Sequence, residues 1–241
     1  ATALLISSFA SRSLIAGAPA LAVMLGADIG TTLVAQVLSF DLSWLSPALI
    51  LIGLVSHRRA TSDIFKHVGM ALIGLGLMLL SLKLIGSSTG PLRDAAVLQE
   101  LFHALEDERM LAILLIMVLT WISHSSIAMI LLVMSLAASA IISPQLGLVL
   151  VLGANIGGTI PAIIATLNKG AQALRITVSN CAFKIVSCLA VLPFIDLISQ
   201  LLNDHVTTDV ARHVVDFHTL FNFAVALVFL PLTSKAYSLI K

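Results

Sequence analysis

Two heptapeptides carry most of the chemistry in this chain: residues 26–32 read GADIGTT and residues 153–159 read GANIGGT. Each sets glycines around a short polar stretch, where a backbone can bend or let another group come close. A third polar stretch, His124-Ser125-Ser126, sits in the middle of the apolar run 110–142. Interrupted apolar helices free backbone carbonyls at one half-helix end and N–H groups at the other. Those carbonyls, with oxygens from Asp28, Thr31, Asn155 and Thr159, suit a hard cation such as sodium. Free N–H groups and serine hydroxyls suit an oxyanion. An ionisable residue within a bilayer costs about 2.5–3.5 kcal/mol on insertion scales, which makes Asp28 a candidate functional residue. A single glycine pair is explained by close helix packing. The same pattern written twice, with polar residues at the same offsets, points instead to a binding site.

The elements that must position these residues are apolar helices. Of the 241 residues 59% are hydrophobic and 10% charged, against about 25% charged in a soluble domain. The deficit runs through the whole chain, so the fold class is an all-α polytopic membrane protein. A net charge of +1 says nothing about nucleic acid, and no Lys/Arg run forms a phosphate-backbone stripe, so no nucleic-acid partner is expected. Cys181 and Cys188 lie about 10 Å apart along one helix, too far for a disulfide, and read as small buried apolar groups.

The clearest spans are 67–86, 110–142, 176–202 and 214–233, while 44–56 is short and 18–39 is interrupted by GADIGTT. The run 110–142 is expected to be two half-spans meeting at the polar tip 124–126. Both heptapeptides are expected to break their helices near the middle. An offset of 127 places Gly26 on Gly153 and pairs 21–35 with 148–162, with 8 identities in 15. The counterpart of the 124–126 tip would then precede residue 1, leaving the first N-terminal hairpin incomplete. The division is 1–86 for the first repeat, 87–109 for a connector and 110–241 for the second repeat.

Charge placement sets the expected orientation. Arg12, the 57–59 cluster with Lys66, Lys169, Arg175, Lys235 and Lys241 belong inside by the positive-inside rule; Asp41, the 94–108 stretch, Asp204 and Asp209 belong outside. The sides agree if 18–39 and 145–167 run in opposite directions, which makes the repeats inverted in topology, built of re-entrant hairpins and broken helices. Elsewhere, His218 and Asn222 share a helix face and read most simply as a helix-packing hydrogen bond. The glycines of 67–86 read as packing positions. Lys83 snorkels near a span end, and Lys184, nearer mid-span, is a weaker candidate to pair with an acid.

With these motifs in place, the chain resembles the type II sodium–phosphate cotransporter family, in its bacterial branch. The resemblance rests on GADIGTT and GANIGGT (family pattern GANIGTT), SHSSIAMILL at 123–132 (family pattern QSSSA), MALIGLGLMLLSLKLI at 70–85 and DFHTLFNFAVALVFLPL at 216–232. It implies a secondary transporter of the plasma or inner membrane that moves inorganic phosphate with sodium by alternating access. No cofactor and no enzymatic step are implied, and a homodimer is left open. Carried over, phosphate would meet Ser125, Ser126, Thr2, Thr32 and Thr159. Sodium would meet Asp28, Asn155, Thr31, Ser125, His124, Gly26 and Gly153, while Ala1 and Thr2 are what remains of the first serine motif. The chain departs from the family at His124 (Gln), Asp28 (Asn) and Gly158 (Thr). Rival readings are an exporting or proton-coupled carrier using Asp28 and His124, an ion channel, and an intramembrane hydrolase using Ser126 and His218. Adjacent helix positions face apart, so His124 and Ser125 make a poor nucleophilic dyad.

Overall fold

The structure, a computed structural model, describes residues 2–12, 14–40, 42–88 and 96–239. Among these residues every regular element is helical: α1 (Thr2–Ser11), α2 (Gly17–Leu38), α3 (Ser46–Arg59), α4 (Asp63–Ser88), α5 (Ala96–Asp107), α6 (Arg109–Ser123), α7 (Ser126–Ala138), α8 (Pro144–Gly157), α9 (Ile160–Thr166), α10 (Ala171–Val191), α11 (Ile195–His205), α12 (Val210–Phe229) and α13 (Thr233–Leu239). Part of the 87–109 connector, and Ala1, fall outside the described residues. Five helical runs are long and apolar enough to cross a membrane: Gly17–Leu38, Asp63–Ile85, Pro144–Thr166, Ala171–His205 and Val210–Lys235. The chain is a multi-pass helical membrane protein.

Local sequence sets the helix starts. Pro144 opens α8 behind Ser143, whose Oγ accepts a hydrogen bond from the Leu146 N–H at 3.2 Å. Asp209 caps α12 in the same way, its Oδ1 accepting from the Ala211 N–H at 2.9 Å. The run 110–142 does divide as its polar centre predicts, into α6 and α7 with His124 and Ser125 between them. His124 takes the left-handed conformation (φ 53°, ψ 20°) that ends α6 and turns the chain back.

At the bundle's centre lies α8. Every residue from Leu146 to Gly157 is buried, against α6, α7, α10, α11 and α12. The approach to α6 is close enough that a side chain at Gly153 would fall on the Ile113 carbonyl and one at Gly157 on that of Met117. The hairpin of α3 and α4 is built in the same way: Gly53 and Gly69 face each other's backbones, and Ser46 Oγ donates to the Gly76 carbonyl at 2.7 Å. Gly69 and Gly76 are therefore the packing positions the sequence suggests, whereas nothing lies near Gly74. Beyond the core, Trp44, Ile64 and Leu227 point outward, as apolar side chains do when lipid is the solvent.

One expectation is corrected. GADIGTT does not break its helix, because α2 runs without interruption from Gly17 to Leu38. Only the second copy is interrupted, and then not at its middle but at its last two residues, Gly158 and Thr159. The cause is Pro161. Lacking an N–H, it leaves the Gly157 carbonyl without its donor and presses its ring on the preceding turn. The position 127 residues earlier is Val34, which completes the helix normally. Even the second interruption is one tightened turn: Gly158 and Thr159 both stay right-handed, and Thr159 N–H bonds back to Ile156 at 3.0 Å.

Candidate functional site

A cavity of about 230 Å³ opens where α1, α2, the α6–α7 tip, α8, α10 and α12 converge. The tip contributes His124, Ser125 and Ser126, and with them the N-terminal end of α7. Ser125 caps that helix, its Oγ accepting from the Ala128 N–H at 3.2 Å. The partial positive charge of a helix N-terminus, beside two hydroxyls, favours an anion there. Gly158 lies against the tip, and a Cβ on it would stand 3.2 Å from Ser126 Cβ. The hydroxyl lost relative to the family's Thr is thus exchanged for a close seat for Ser126.

From α2 come Asp28 and Thr31, and from α8 and its turn come Asn155 and Thr159. The two motif positions that differ by one atom type, Asp28 and Asn155, are joined by a chain of polar groups. Lys184 Nζ lies 2.9 Å from Asp28 Oδ2 and donates to Asn222 Oδ1. Asn222 Nδ2 in turn donates to Asn155 Oδ1 at 3.0 Å. Asn155 Nδ2 reaches the Val151 carbonyl at 2.9 Å and His218 Nδ1 at 3.1 Å. Lys184, Asn155, Asn222 and His218 are all buried. Among the buried atoms of the cavity-lining residues, His218 Nε2 and Asn180 Oδ1 have no hydrogen-bond partner, and Asp28 Oδ2 has its ion pair with Lys184 alone. Buried polar atoms are nearly always paired, so the first two are available to a ligand.

The threonines repeat their geometry across the offset. Thr32 Oγ1 donates to the Ile29 carbonyl at 2.8 Å and Thr159 Oγ1 to the Ile156 carbonyl at 2.7 Å. Thr31 Oγ1 donates to the Asp28 carbonyl at 2.7 Å. The cavity takes in Thr2, Asp28, Thr31, His124, Ser125, Ser126, Asn155 and Thr159, but not Thr32, Gly26 or Gly153. Thr32 is wholly buried, Gly153 is packed on α6, and Gly26 stands on the outer side of α2 with nothing near it.

Sequence reasoning set Lys184 low, took His218 and Asn222 for packing, and passed over Thr177 and Asn180, all of which line the cavity. A signal was present. Thr177, Asn180 and Lys184 fall at i, i+3 and i+7 of an apolar helix, and His218 and Asn222 at i and i+4 of another, so each set forms a polar stripe on one face.

The chain is thus a multi-pass helical bundle enclosing a polar, partly open cavity, with the serine-bearing α6–α7 tip at its wall. Residues 1–87 and 94–228 match the model of the Na+/Pi-cotransporter family, and the chain belongs to that family. It is 39% identical over 231 residues to YjbB of Escherichia coli (strain K12), whose name assigns it provisionally to inorganic phosphate export. The Salmonella typhimurium protein of the same name is 38% identical over 231 residues. Both alignments cover 96% of this chain and 42% of the relative, so the chain spans less than half the length of these relatives. The uncharacterized protein YqeW of Bacillus subtilis is 28% identical over 236 residues, covering 98% of this chain and 76% of that one. No solved structure matches the chain significantly.

Proposed function

We propose that the chain is the transport core of a carrier for inorganic phosphate, coupled to sodium by alternating access of two inverted repeats. The observation that carries this reading is the convergence of the α7 N-terminus, Ser125 and Ser126 on the cavity that also takes in Asp28 and Asn155 from the two motif copies. Phosphate is held by the two hydroxyls and the first-turn N–H groups of α7. Sodium sits beside it, among Asn155, Thr159 and the serines, where oxygen donors are plentiful and its charge offsets the anion. The family to which the chain belongs supports phosphate and sodium as cargo and coupling ion.

The test is flux of radiolabelled phosphate in proteoliposomes. A sodium gradient drives it, and Ser125→Ala abolishes it. Flux indifferent to sodium removes the coupling, and phosphate that neither moves nor competes removes the reading. Export is a second reading, favoured by the name given to the Escherichia coli relative. The same vesicles loaded with phosphate decide the direction. Proton coupling through Asp28 and His124 is less favoured, because Asp28 would have to release Lys184 in each cycle.

A further inference from the structure

We propose that the ammonium of Lys184 is a tethered cation that fills the ion position of the first motif. Asp28 then binds no coupling ion, and the mobile sodium is confined to the second motif's side of the cavity. This rests on the transport reading above and says where in that site the ion can bind.

The geometry around Nζ is that of a cation site. A carboxylate oxygen of Asp28 lies at 2.9 Å, the amide oxygen of Asn222 accepts a hydrogen bond, and the Phe221 ring centroid lies 5.8 Å away. These are hard oxygen donors with an aromatic face, a set that would serve a sodium ion as well as an ammonium. The Lys184 side chain is 2% exposed, so it is held in place rather than reaching in from solvent. Across the repeat, Asn155 stands where Asp28 stands and is neutral. Its partners are Asn222, His218 and the Val151 carbonyl, none of them a fixed cation. The two motif positions are therefore complementary: acid with built-in cation on one side, neutral amide on the other. A mobile ion at Asp28 would have to share the carboxylate with an ammonium, and like charges so close repel. At the Asn155 side the ammonium is one residue removed, reaching Asn155 only through Asn222.

Removing the ammonium should expose the site. Purified protein is assayed for radiolabelled sodium bound per chain and for thermal unfolding in sodium chloride against choline chloride. Lys184→Ala is expected to bind one further sodium per chain relative to wild type. It is also expected to show a rise in Tm in sodium that choline does not reproduce, since an ion that binds the folded state stabilises it. Asp28→Asn/Lys184→Ala, which lacks the carboxylate, is expected to lose that gain. A folded Lys184→Ala that binds no more sodium than wild type overturns the proposal, as does equal rescue by the two salts. Lys184→Ala that stays unfolded even in sodium also counts against it, since a vacated ion site would admit the ion. Lys184→Ser, which adds an oxygen ligand, repeats the measurement with a smaller loss of packing. Wild-type vesicles that fail to move phosphate would remove the transport reading, while the sodium count on these variants would still judge Lys184.

Discussion

GADIGTT in α2 and GANIGGT in α8 are nearly the same heptapeptide, yet they do different structural work. In α8 the glycines are packing surfaces: Gly153 and Gly157 bring the helix onto the backbone of α6. In α2 a Cβ on Gly26 or Gly30 would meet nothing within 4 Å. The second copy is interrupted at its last two residues and buried on every side from Leu146 to Gly157, whereas the first is a continuous helix buried on one face. Residue 28 is an acid in an ion pair, and residue 155 is an amide in a hydrogen-bond relay. A repeated motif therefore fixes where polar atoms stand along a helix. Its neighbours decide whether the helix breaks and what its glycines touch.

The largest effect that would test this contrast is at residue 28. Asp28→Ala leaves the Lys184 ammonium buried without its counter-charge, a change expected to cost about 3–5 kcal/mol. Asn155→Ala removes neutral interhelical hydrogen bonds, which contribute on average about 0.6 kcal/mol and at most roughly 1.7 in membrane proteins. Thermal unfolding in detergent micelles measures both, and equal losses would dissolve the distinction between the two sites. Next comes Val34→Pro, which transplants the second copy's breaker into the first. An interior proline in the continuous α2 should cost about 3 kcal/mol and lower its helical content in circular dichroism. If α2 accepts it without loss, the helix was already poised to break and the contrast fails.

Glycine substitutions sharpen the comparison at smaller magnitude. Gly153→Ala forces a methyl group onto Ile113 and Ile116 and is expected to destabilise by about 1–3 kcal/mol. Gly26→Ala meets no atom, and helix propensity alone predicts a gain of up to about 1 kcal/mol. Opposite signs in the two Tm shifts are the expected result. A loss at both positions would show that α2 is packed where the structure leaves it open.

Much of the architecture could be read from the residues, because its signals are local. The polar tip inside 110–142 marked a hairpin, since three adjacent polar side chains cannot sit comfortably in an apolar span, and α6 and α7 meet there. The offset placed Asp28 opposite Asn155, and both line the cavity. Two features were misjudged because they depend on partners elsewhere in the chain. The break was credited to the glycines, which are tolerated within helices when the flanking sequence carries them, while the breaker Pro161 lay two residues past the motif. Lys184 was ranked low because nothing in its own segment shows that Asp28, on a helix 156 residues away in sequence, comes within 2.9 Å of it. The stripe of Thr177, Asn180 and Lys184 was nevertheless visible at helical spacing, and it would have directed attention to α10.

A small effect falls on Pro161, and it bears most directly on what the break is for. Pro161→Val makes the second copy match the first at this position and returns an N–H that can bond the Gly157 carbonyl. One restored backbone hydrogen bond is worth about 0.5–1.5 kcal/mol net. Because Gly158 and Thr159 are already right-handed, little refolding is needed to close the turn. Stability should therefore rise slightly, and hydrogen exchange at the new amide should be slow. The turn, however, is what sets Gly158 against Ser126 and Thr159 at the cavity wall. Closing it should move both, so phosphate binding is expected to weaken even as Tm rises. A variant with higher Tm and unchanged phosphate affinity would mean that Pro161 serves only helix packing, and that the asymmetry between the two copies lies wholly in Asp28 and Lys184.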